Sequence, residues 1–326
     1  MNTNRIEEGD AIHLLDTVDS GSVQTIYFDP PFNSDFHYVM DQEHDHRGFI
    51  DKWSDDDEYA AFIDHMIDKL KTKLTPQGSL FFHISASEMY IPEVILRSHF
   101  TTVTPIFWKK ARSKNNVKNK LGTAIDIIFW CSHDKKPLYN MQYQPLDETY
   151  LKNSYSIEDE KGKYALSHLY TDNIRKSSYR YTITHNGIEY TPARGWRISR
   201  DKIDKLIAND EIHWPKKKGG KVYRKMYKDD VIGKPCMDLW DDIHALTQGT
   251  EGRKYPTAKP LKLLERIIAM SSNSGDIVLD PMCGSGVAGV VAKQLERKYI
   301  MFDQNSFAVE TARKFVGEVS NLLSFD

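Results

Sequence analysis

The sequence predicts a mixed α/β domain built on a mostly parallel sheet and interrupted by an inserted subdomain. Over the first 135 residues, apolar runs of strand length alternate with segments of helical periodicity. This alternation is typical of parallel strands that helices cover on both faces. The alternation stops at about Tyr139 and returns after Tyr255. No apolar run approaches the roughly 18 residues that a membrane-spanning helix needs.

The first part of the chain is predicted to form strands and helices in alternation. Apolar runs of strand length occupy 23–28, 79–84, 104–108 and 124–131, and helical spacing covers 57–74 and 88–97. The first strand ends at Pro30 and Pro31, because proline cannot donate to a strand ladder. Pro76-Gln77-Gly78 is typical of a turn, and we expect it to separate the first helix from the second strand.

The α/β pattern returns in the last part of the chain. Helices are predicted at 259–270, 287–295 and 306–323, with strands at 276–279 and 298–302. Between the two parts, polar, aromatic and basic residues mix with weak apolar periodicity. We therefore predict three segments, namely a first half of the domain at 1–138, an insertion at 139–255 and a second half at 256–326.

Charge is segregated along the chain although the net charge is only −2. Residues 41–58 hold eight acids and two bases, which predicts a solvated loop and helix start or, alternatively, a lid over a ligand. Residues 109–120 hold six bases and no acid, and residues 194–228 carry a net charge of +8. The total excludes a uniformly basic protein, but a local basic face can still bind nucleic acid.

The three cysteines, Cys131, Cys236 and Cys283, lie far apart and form no Cys-x-x-Cys pair. This pattern argues against a disulfide framework and against a zinc site, so no metal is expected. It suits a reducing cytoplasm, and the first eight residues lack the apolar core of a signal peptide. We therefore expect a cytoplasmic protein without a membrane partner.

A glycine-rich loop follows the strand predicted at 276–279 and opens a helix. Gly284, Gly286 and Gly289 satisfy Gly-x-Gly-x-x-Gly, and Asp303 ends the next strand seventeen residues after Gly286. Glycines let the backbone approach a ligand closely, and an acid at that strand end can accept hydrogen bonds from ribose hydroxyls. This pattern alone is compatible with any nucleoside cofactor, or with a tight turn that binds nothing.

Asp280, immediately before the loop, discriminates among these ligands. Its carboxylate would repel the pyrophosphate of a dinucleotide but would attract a cofactor that carries a positive ammonium group. S-adenosylmethionine has such a group and has no phosphate. The loop therefore favours S-adenosylmethionine as the cofactor and disfavours a dehydrogenase.

The segment Asp29-Pro30-Pro31-Phe32 is the most specific feature of the chain. The two prolines fix the backbone at a strand end, so that a carboxylate and carbonyl oxygens point in one direction. Such a site can accept both hydrogens of an exocyclic amino group, while the adjacent aromatic ring stacks on the base. Taken alone, the segment is also compatible with a strand-terminating turn whose phenylalanine lies in the core.

Together, Asp29-Pro30-Pro31-Phe32 and Asp280-Pro281-Met282-Cys283-Gly284-Ser285-Gly286 resemble the signature motifs of amino-group DNA methyltransferases. The catalytic motif comes first, a recognition region follows and the cofactor motif is last. This order is similar to that of the circularly permuted β class, which includes type III modification subunits, and the similarity covers nearly the whole chain. Further segments resemble family elements: Gly9-Asp10, Phe49-Ile50-Asp51-Lys52-Trp53, Arg194-Gly195-Trp196-Arg197, Asp238-Leu239-Trp240-Asp241-Asp242-Ile243 and Tyr255-Pro256-Thr257-Ala258-Lys259-Pro260.

The resemblance implies a Rossmann-like, S-adenosylmethionine-dependent methyltransferase fold, circularly permuted, with an inserted target-recognition subdomain. Residues 1–138 would be the catalytic half, 139–255 the target-recognition region and 256–326 the cofactor-binding half. The implied catalytic residues are Asp29, Pro30, Pro31 and Phe32. The implied cofactor-binding residues are Asp10, Lys259, Asp280, Cys283, Gly284, Ser285, Gly286 and Asp303. Many family members have tyrosine in place of Phe32, so this chain keeps the stacking face and lacks the hydroxyl.

Basic segments supply the candidate DNA contacts. One set follows a predicted strand and consists of Lys109, Lys110, Arg112 and Lys114, for which a solvated loop is the alternative. The other set lies in the insertion and consists of Arg194, Trp196, Arg197, Lys216, Lys217 and Lys218. The lysine run is expected to contact phosphates. Trp196 and Arg197 are expected to reach base edges or the space that a flipped base vacates.

The sequence thus predicts a site-specific DNA methyltransferase that methylates N6 of a flipped adenine, in a restriction-modification system or as a solitary enzyme. A bacterial or phage protein associated with the nucleoid is expected. Double-stranded DNA is the expected partner, and a homodimer and a cognate restriction endonuclease are further candidates.

Three alternatives are weighed against this prediction. An N4-cytosine methyltransferase usually has serine in place of Asp29. The basic insertion argues against an RNA or protein-glutamine methyltransferase, and a non-catalytic DNA-binding subunit usually loses the acid or the glycines that this chain keeps.

Overall fold

The structure is a computed structural model that describes residues 1–32, 53–111, 121–217, 219–246 and 258–318, with backbone alone at 36–39 and 48–51. The chain divides into two units. The first unit comprises Met1–Gln142 and Pro235–Asp326, and the second comprises Tyr143–Lys234. Among the described helices, none is both long and apolar enough to cross a membrane.

The strands and helices are numbered in chain order. The first part of the chain forms β1 Arg5–Glu8, α1 Ala11–Leu14, β2 Val23–Phe28, β3 Phe36–Val39, β4 Gly48–Asp51, α2 Asp56–Lys73, β5 Leu74–Ser85, α3 Tyr90–His99, β6 Thr102–Lys109 and β7 Ile125–Ser132. The middle part forms β8 Tyr143–Gln144, α4 Glu148–Ser154, β9 Ile157–Asp159, β10 Gly162–His168, β11 Ile183–His185, β12 Ile188–Tyr190, α5 Arg200–Ala208, β13 Ile212–His213, β14 Tyr223–Tyr227, β15 Lys234–Pro235 and β16 Leu239–Trp240. The last part forms α6 Leu261–Ser271, β17 Ile277–Asp280, α7 Val287–Gln294, β18 Lys298–Asp303 and α8 Ser306–Glu318.

An eight-stranded sheet forms the centre of the first unit, in the order β1-β18-β17-β2-β5-β7-β6-β16. Neighbouring strands are parallel except at β7, which runs antiparallel to β5 and β6. The mostly parallel sheet that the sequence predicts is therefore present. β2 and β17 lie side by side at its centre, although the whole insertion separates them in sequence.

Side chains of the central strands alternate between two cores, one on each face of the sheet. Phe28 of β2 and Phe82 of β5 pack on the face that α2 and α3 cover. Tyr27 and Phe81 pack on the opposite face, against α6 and α7. Because a strand has a period of two, His83 is expected on the same face as Tyr27 and Phe81.

Helix α2 shows how local sequence specifies an element of this fold. Asp55 caps the helix, and its side chain accepts a hydrogen bond from the Glu58 amide at 2.8 Å. Acidic residues lie in the first turn and Lys71 and Lys73 in the last turn, which complements the helix dipole. The last acids of the segment 41–58 thus begin a helix, as predicted. Residues 41–47 lie outside the described residues, and the alternative of a lid formed by 41–58 stays a prediction.

Two predicted boundaries differ from the structure. Pro76-Gln77-Gly78 lies inside β5 as a bulge, because Leu74 pairs with Val23 while Ser79 already pairs with Thr25. The sequence predicts that the insertion ends near Tyr255, but β16 pairs with β6 in the central sheet. The second unit therefore ends at Lys234. The catalytic, target-recognition and cofactor-binding roles of the three predicted segments stay predictions.

The second unit has its own sheet and its own core. Its strands form an antiparallel sheet in the order β13-β14-β10-β9, and β11 and β12 form a separate hairpin. The hairpin turns at Asn186-Gly187, where both residues have the left-handed backbone that a two-residue turn of this kind requires. Trp196 has no exposed surface and belongs to this core.

Candidate active site

Four acids follow or end parallel strands at one edge of the central sheet. Asp10 follows β1, Asp29 follows β2, and Asp280 and Asp303 end β17 and β18. Because the carboxyl ends of parallel strands meet at the same edge, residues far apart in sequence converge there. Ligands of open α/β sheets bind outside this edge, so it is the candidate active site.

The two carboxylate oxygens of Asp29 have different environments. Oδ2 accepts a hydrogen bond from Nζ of Lys259 in an ion pair. Oδ1 is buried and has no hydrogen-bond partner among the described residues, and Nδ1 of His83 is 4.0 Å away from it. A buried acceptor without a donor costs about 1–3 kcal/mol, so an N–H group of a ligand would be stabilised at Oδ1.

Phe32 lies beside the same lysine and the same histidine. Its half-buried ring is 5.5 Å from Nζ of Lys259 and 5.9 Å from the His83 ring, measured to the ring centres. Pro30 is buried and Pro31 is half-buried between Asp29 and this ring. Lys259, which the sequence assigns to the cofactor, is therefore engaged with the two side chains that the sequence assigns to the target base.

The glycine loop between β17 and α7 has a backbone that requires glycine. Gly284 and Gly286 both have positive φ, and Gly286 precedes the first turn of α7. A Cβ atom on Gly286 would lie 2.6 Å from Cβ of Ala312. The Gly284 amide donates to Oδ2 of Asp303 at 2.9 Å, so that the acid of β18 holds the loop in place. The missing side chain of Gly286 therefore allows α8 to pack closely against the loop.

The carboxylates make this edge strongly acidic. Burial raises the pKa of Asp280 well above its usual value, and the charges of Asp29 and Asp303 raise that pKa further. Burial also raises the pKa of Asp303. The charge of Lys259 opposes the effect at Asp280 by lowering its pKa. A ligand with a positive group would relieve the repulsion among the acids, so the residues of this edge fit a cationic cofactor.

The other predicted cofactor residues occupy different positions. Asp10 caps α1 through a 2.7 Å hydrogen bond from the Ile12 amide, and its side chain is 55% exposed. Ser285 and Cys283 are buried in the loop. Burial raises the pKa of the Cys283 thiol well above its usual value, so the thiol stays protonated and packs against its neighbours. Among the described residues, no group of His, Cys, Asp and Glu could hold a metal ion.

Sequence reasoning missed a chain of four polar side chains behind Asp29. Tyr27 contacts His83, His83 contacts Asp126, and Asp126 forms an ion pair with Lys110. The available signal was a histidine inside the apolar strand at 79–84 and an aspartate inside the strand at 124–131. Ionisable residues are rarely buried in strands unless they are paired, which makes these positions informative.

The predicted DNA contacts of the first unit are only partly described. Lys109 is exposed at the end of β6. Lys110 is half-buried and its Nζ lies 2.6 Å from Oδ1 of Asp126, so its charge already has a partner. Arg112 and Lys114 lie outside the described residues.

The expectation that Trp196 reaches DNA bases is wrong. Its ring has no exposed surface, its Nε1 donates to the carbonyl of Tyr181 at 2.8 Å, and it stacks on the Tyr181 ring at 5.7 Å. The residue is an anchor of the core of the second unit, because a large aromatic ring gains more from burial than from exposure.

The charged candidates of the second unit are exposed. Arg194 and Arg197 flank Trp196, and Arg194 donates to the carbonyl of Asp172. Lys216 and Lys217 are also exposed, whereas Lys218 lies outside the described residues. The buried tryptophan thus fixes a segment in which the side chains of both neighbouring arginines are exposed, although that of Arg194 already has a hydrogen bond.

The parallel strands and the acidic, glycine-lined edge at their carboxyl ends define a Rossmann-like α/β fold with a candidate cofactor site. The DNA methylase family matches residues 23–314. This match covers most of the chain, and the chain belongs to that family.

Individual relatives agree with this assignment. The type II methyltransferase M.EcaI from Enterobacter cloacae is 28% identical over 303 residues, which cover 91% of this chain and 65% of the relative. The type II methyltransferase M1.MboII from Moraxella bovis is 25% identical over 313 residues, which cover 96% of each. The chain spans between 47% and 65% of the length of several of the curated relatives it matches.

A solved structure has the same fold. The PvuII DNA methyltransferase, described as cytosine-N4-specific, is similar with a TM-score of 0.52 and 14% sequence identity. The similarity covers 98% of this chain and 94% of that chain.

Proposed function

We propose that this chain transfers a methyl group from S-adenosylmethionine to the N6 amine of adenine in double-stranded DNA. The observation that carries the proposal is the carboxylate of Asp29 at the end of β2. Its Oδ1 is buried and has no hydrogen-bond partner among the described residues. A carboxylate at this position, rather than a serine hydroxyl, favours adenine over cytosine as the target base.

Asp29 would act by orienting the target amine. The lone pair of an exocyclic amine is delocalised into the base, which makes the amine a poor nucleophile. If Oδ1 of Asp29 and the carbonyl of Pro30 accept its two N–H bonds, the nitrogen becomes more tetrahedral and its lone pair localises. Preorganised acceptors that stabilise this geometry in the transition state would contribute a large part of the rate.

Phe32 would hold the base after it has left the duplex. A stacked base hides its amine from an in-line approach, so the target nucleotide must be extruded first. Stacking on an aromatic side chain contributes about 1–3 kcal/mol per base. The phenyl ring of Phe32 supplies this face without the hydroxyl that tyrosine would add.

The neighbouring residues would hold the cofactor. S-adenosylmethionine supplies a methyl group that its sulfonium already activates. Asp280 would attract the positive charge, the backbone at Gly284 and Gly286 would allow close approach, and Asp303 would accept hydrogen bonds from ribose hydroxyls. Asp303 would do so while its Oδ2 continues to hold the Gly284 amide. Asp10, Lys259, Cys283 and Ser285 stay predicted contacts.

The exposed bases of the second unit would bind DNA. Lys216 and Lys217 suit phosphates, whereas the guanidinium groups of Arg194 and Arg197 suit base edges or phosphates. A substrate of bacterial or phage DNA agrees with the expectation of a cytoplasmic, nucleoid-associated protein. The homodimer and the cognate restriction endonuclease remain predictions.

The test is to identify the methylated product. Purified protein is incubated with genomic DNA and isotope-labelled S-adenosylmethionine, and the digested nucleosides are separated by mass spectrometry. We expect labelled N6-methyladenine, and long-read sequencing of the same DNA gives the recognition sequence. Labelled N4-methylcytosine would show that cytosine, and not adenine, is the target base. Absence of any labelled nucleoside would contradict the methyltransferase activity itself.

A further inference from the structure

Four polar side chains form a buried hydrogen-bonded chain behind Asp29. Oη of Tyr27 lies 2.7 Å from Nδ1 of His83, and Nε2 of His83 lies 3.3 Å from Oδ2 of Asp126. Oδ1 of Asp126 accepts from Nζ of Lys110 at 2.6 Å. Tyr27 is 3% exposed, His83 0% and Asp126 2%. Burying such groups is costly, and a fully satisfied network of this kind fixes its members in one arrangement.

The protonation states of this chain determine the direction of its hydrogen bonds. Burial lowers the pKa of His83 and raises that of Tyr27, so the imidazole is neutral and the phenol is protonated. Burial opposes the ionisation of Asp126, but the hydrogen bonds and charges of His83 and Lys110 lower its pKa overall. An ionised carboxylate only accepts, so the single N–H of His83 is on Nε2 and Nδ1 accepts from the Tyr27 hydroxyl.

This direction matters because His83 adjoins Asp29. Nδ1 of His83 is 4.0 Å from Oδ1 of Asp29, which has no hydrogen-bond partner among the described residues. The two atoms are too far apart for a hydrogen bond, but a proton on Nδ1 would place positive charge beside Oδ1 and would weaken the attraction of that oxygen for a target amine. In the Nε2–H tautomer, the Tyr27 hydroxyl donates its hydrogen bond to Nδ1, and Nδ1 carries no proton.

We propose that Lys110, Asp126 and Tyr27 lock His83 in its Nε2–H tautomer, so that Oδ1 of Asp29 stays an acceptor for the target amine. The four residues are positioning residues, and the inference rests on the proposed methyl transfer. The ionisable groups that face the ring are Tyr27 and Asp29 from β2 and its end, Asp126 from β7, and Lys259 before α6. Lys110 stands behind Asp126, so the sequence-based assignment of this lysine to DNA is replaced by a role inside the site.

The first test reads the tautomer without any reaction. Nitrogen-15 chemical shifts of the His83 ring in the cofactor-free protein distinguish a protonated nitrogen from an unprotonated one. We expect a protonated Nε2 and an unprotonated Nδ1 in the wild type. In Asp126→Asn, the side-chain amide can donate to Nε2, so we expect the proton to move to Nδ1, as for a catalytic histidine that loses its aspartate. A wild-type proton on Nδ1 would overturn the proposal.

The second test reads the consequence in single-turnover methyl transfer at saturating S-adenosylmethionine and DNA. Asp126→Asn should lower the rate by roughly tenfold to a hundredfold, the effect of disturbing one hydrogen bond to a charged group. Tyr27→Phe should be active in alkali and lose activity in acid, below the ordinary imidazole range because burial lowers the pKa of His83, as Nδ1 protonates beside Asp29. The matched control Tyr299→Phe should retain the wild-type pH profile.

Further variants separate positioning from folding. All variants are first checked for wild-type melting temperature and for S-adenosylmethionine binding. In the double variant Tyr27→Phe/His83→Leu, the loss of activity in acid should disappear, because the imidazole that titrates is no longer present. If that loss persisted, it would contradict the assignment of the pH dependence to His83. Lys110→Ala should lower the rate and leave the salt dependence of DNA binding unchanged, whereas the adjacent Lys109→Ala should change that salt dependence.

The failure of the two ideas gives different results. A wild-type protein that methylates no DNA contradicts the proposed function. A wild-type protein that methylates DNA, with folded Tyr27→Phe and Asp126→Asn variants of wild-type rate and pH profile, contradicts the positioning chain alone.

Discussion

The ammonium group of Lys259 forms an ion pair with Oδ2 of Asp29 and lies 5.5 Å from the centre of the Phe32 ring. A positive group thus contacts both side chains that would receive the amine and the face of a flipped adenine. It also places one cation beside an edge that carries Asp29, Asp280 and Asp303. Lys259 therefore offsets part of the negative charge of the site, while Oδ1 of Asp29 has no hydrogen-bond partner among the described residues.

Replacing Lys259 by methionine keeps the stem and removes the charge. We expect the cofactor-free variant to lose about 2 kcal/mol of unfolding free energy at neutral pH, because Asp29 loses a charged hydrogen bond. The loss should shrink as the pH falls, because Asp280, whose pKa the charge of Lys259 lowers, then protonates and needs no counter-charge. Urea unfolding across a pH series measures it, with Lys69→Met as the control. Lys69 pairs with the exposed Asp16, where solvent screens the ion pair and a smaller loss is expected. Equal stability of Lys259→Met and wild type at every pH would contradict the ion pair.

Replacing Asp29 by alanine should abolish methyl transfer and leave S-adenosylmethionine binding largely intact. The physical reason is that the carboxylate is proposed to contact the target amine, whereas Asp280, Asp303 and the glycine loop contact the cofactor. Tritiated methyl incorporation and calorimetric binding of the cofactor are measured on the same preparation. An Asp29→Ala protein that still turns over would remove Asp29 from the mechanism.

Replacing Asp280 by asparagine should stabilise the cofactor-free protein and weaken cofactor binding. The pKa of Asp280 is raised above its usual value of 3.8 in the folded state. Folding therefore takes up a proton, and stability falls as the pH rises from the unfolded pKa through the raised folded pKa. Asparagine does not ionise, so the variant does not lose stability in this way. Its melting temperature should therefore exceed that of the wild type at neutral pH.

The same substitution should remove a pH dependence of binding. Wild-type affinity for S-adenosylmethionine should increase with pH as Asp280 ionises, because the anion attracts the cationic cofactor. The Asp280→Asn variant should bind more weakly and without this component, as measured by titration calorimetry at several pH values. A variant that binds as tightly as the wild type at high pH would show that Asp280 does not face the cofactor.

Replacing Gly286 by alanine should destabilise the loop that precedes α7. The residue has a φ of +82°, and an added Cβ would lie 2.6 Å from Cβ of Ala312. Left-handed backbone at a residue other than glycine costs about 1–3 kcal/mol, and the overlap adds to that cost. Gly317→Ala is the control, because its Cβ would meet nothing within 4 Å in helix α8, where alanine is favoured by roughly 0.5–1 kcal/mol. Thermal unfolding should separate the two, and equal melting temperatures would contradict the close approach.

Replacing Trp196 by alanine should unfold or loosen the second unit, with a loss of about 3–5 kcal/mol of unfolding free energy, because the ring fills its core.

Neutralising Lys216, Lys217 and Lys218 together should leave stability unchanged and flatten the salt dependence of DNA binding, since phosphate contacts release counterions. Arg197→Ala should instead alter discrimination between target and scrambled duplexes if it reaches a base edge. If the DNA affinity of the triple variant depended on salt as that of the wild type does, the three lysines would not contact DNA phosphates and would only form a solvated surface.

The fold class could be predicted from the sequence, and the residues of the candidate site could be proposed from it, because their signals are local. Two prolines end β2 whatever surrounds them, and Gly286 has a left-handed backbone that its own lack of a Cβ permits. Apolar periodicity predicted most of the strands and helices of the first unit, but it missed β1 and α1 and placed the start of β5 five residues too late. The parallel arrangement of β1, β2, β17 and β18 then places Asp10, Asp29, Asp280 and Asp303 at one edge of the sheet.

Side-chain partners could not be predicted, because they depend on strand order and register. His83 meets Tyr27 and Asp126 only because β5 lies between β2 and β7 in the sheet. Lys110 resembles any basic loop residue until β7 brings Asp126 beside it, and Trp196 resembles a base-stacking residue until the second unit closes around it. The sequence by itself determined which residues can carry the chemistry. Only the tertiary structure decided which charges are already paired, since pairing depends on distances between segments that the chain does not bring together locally.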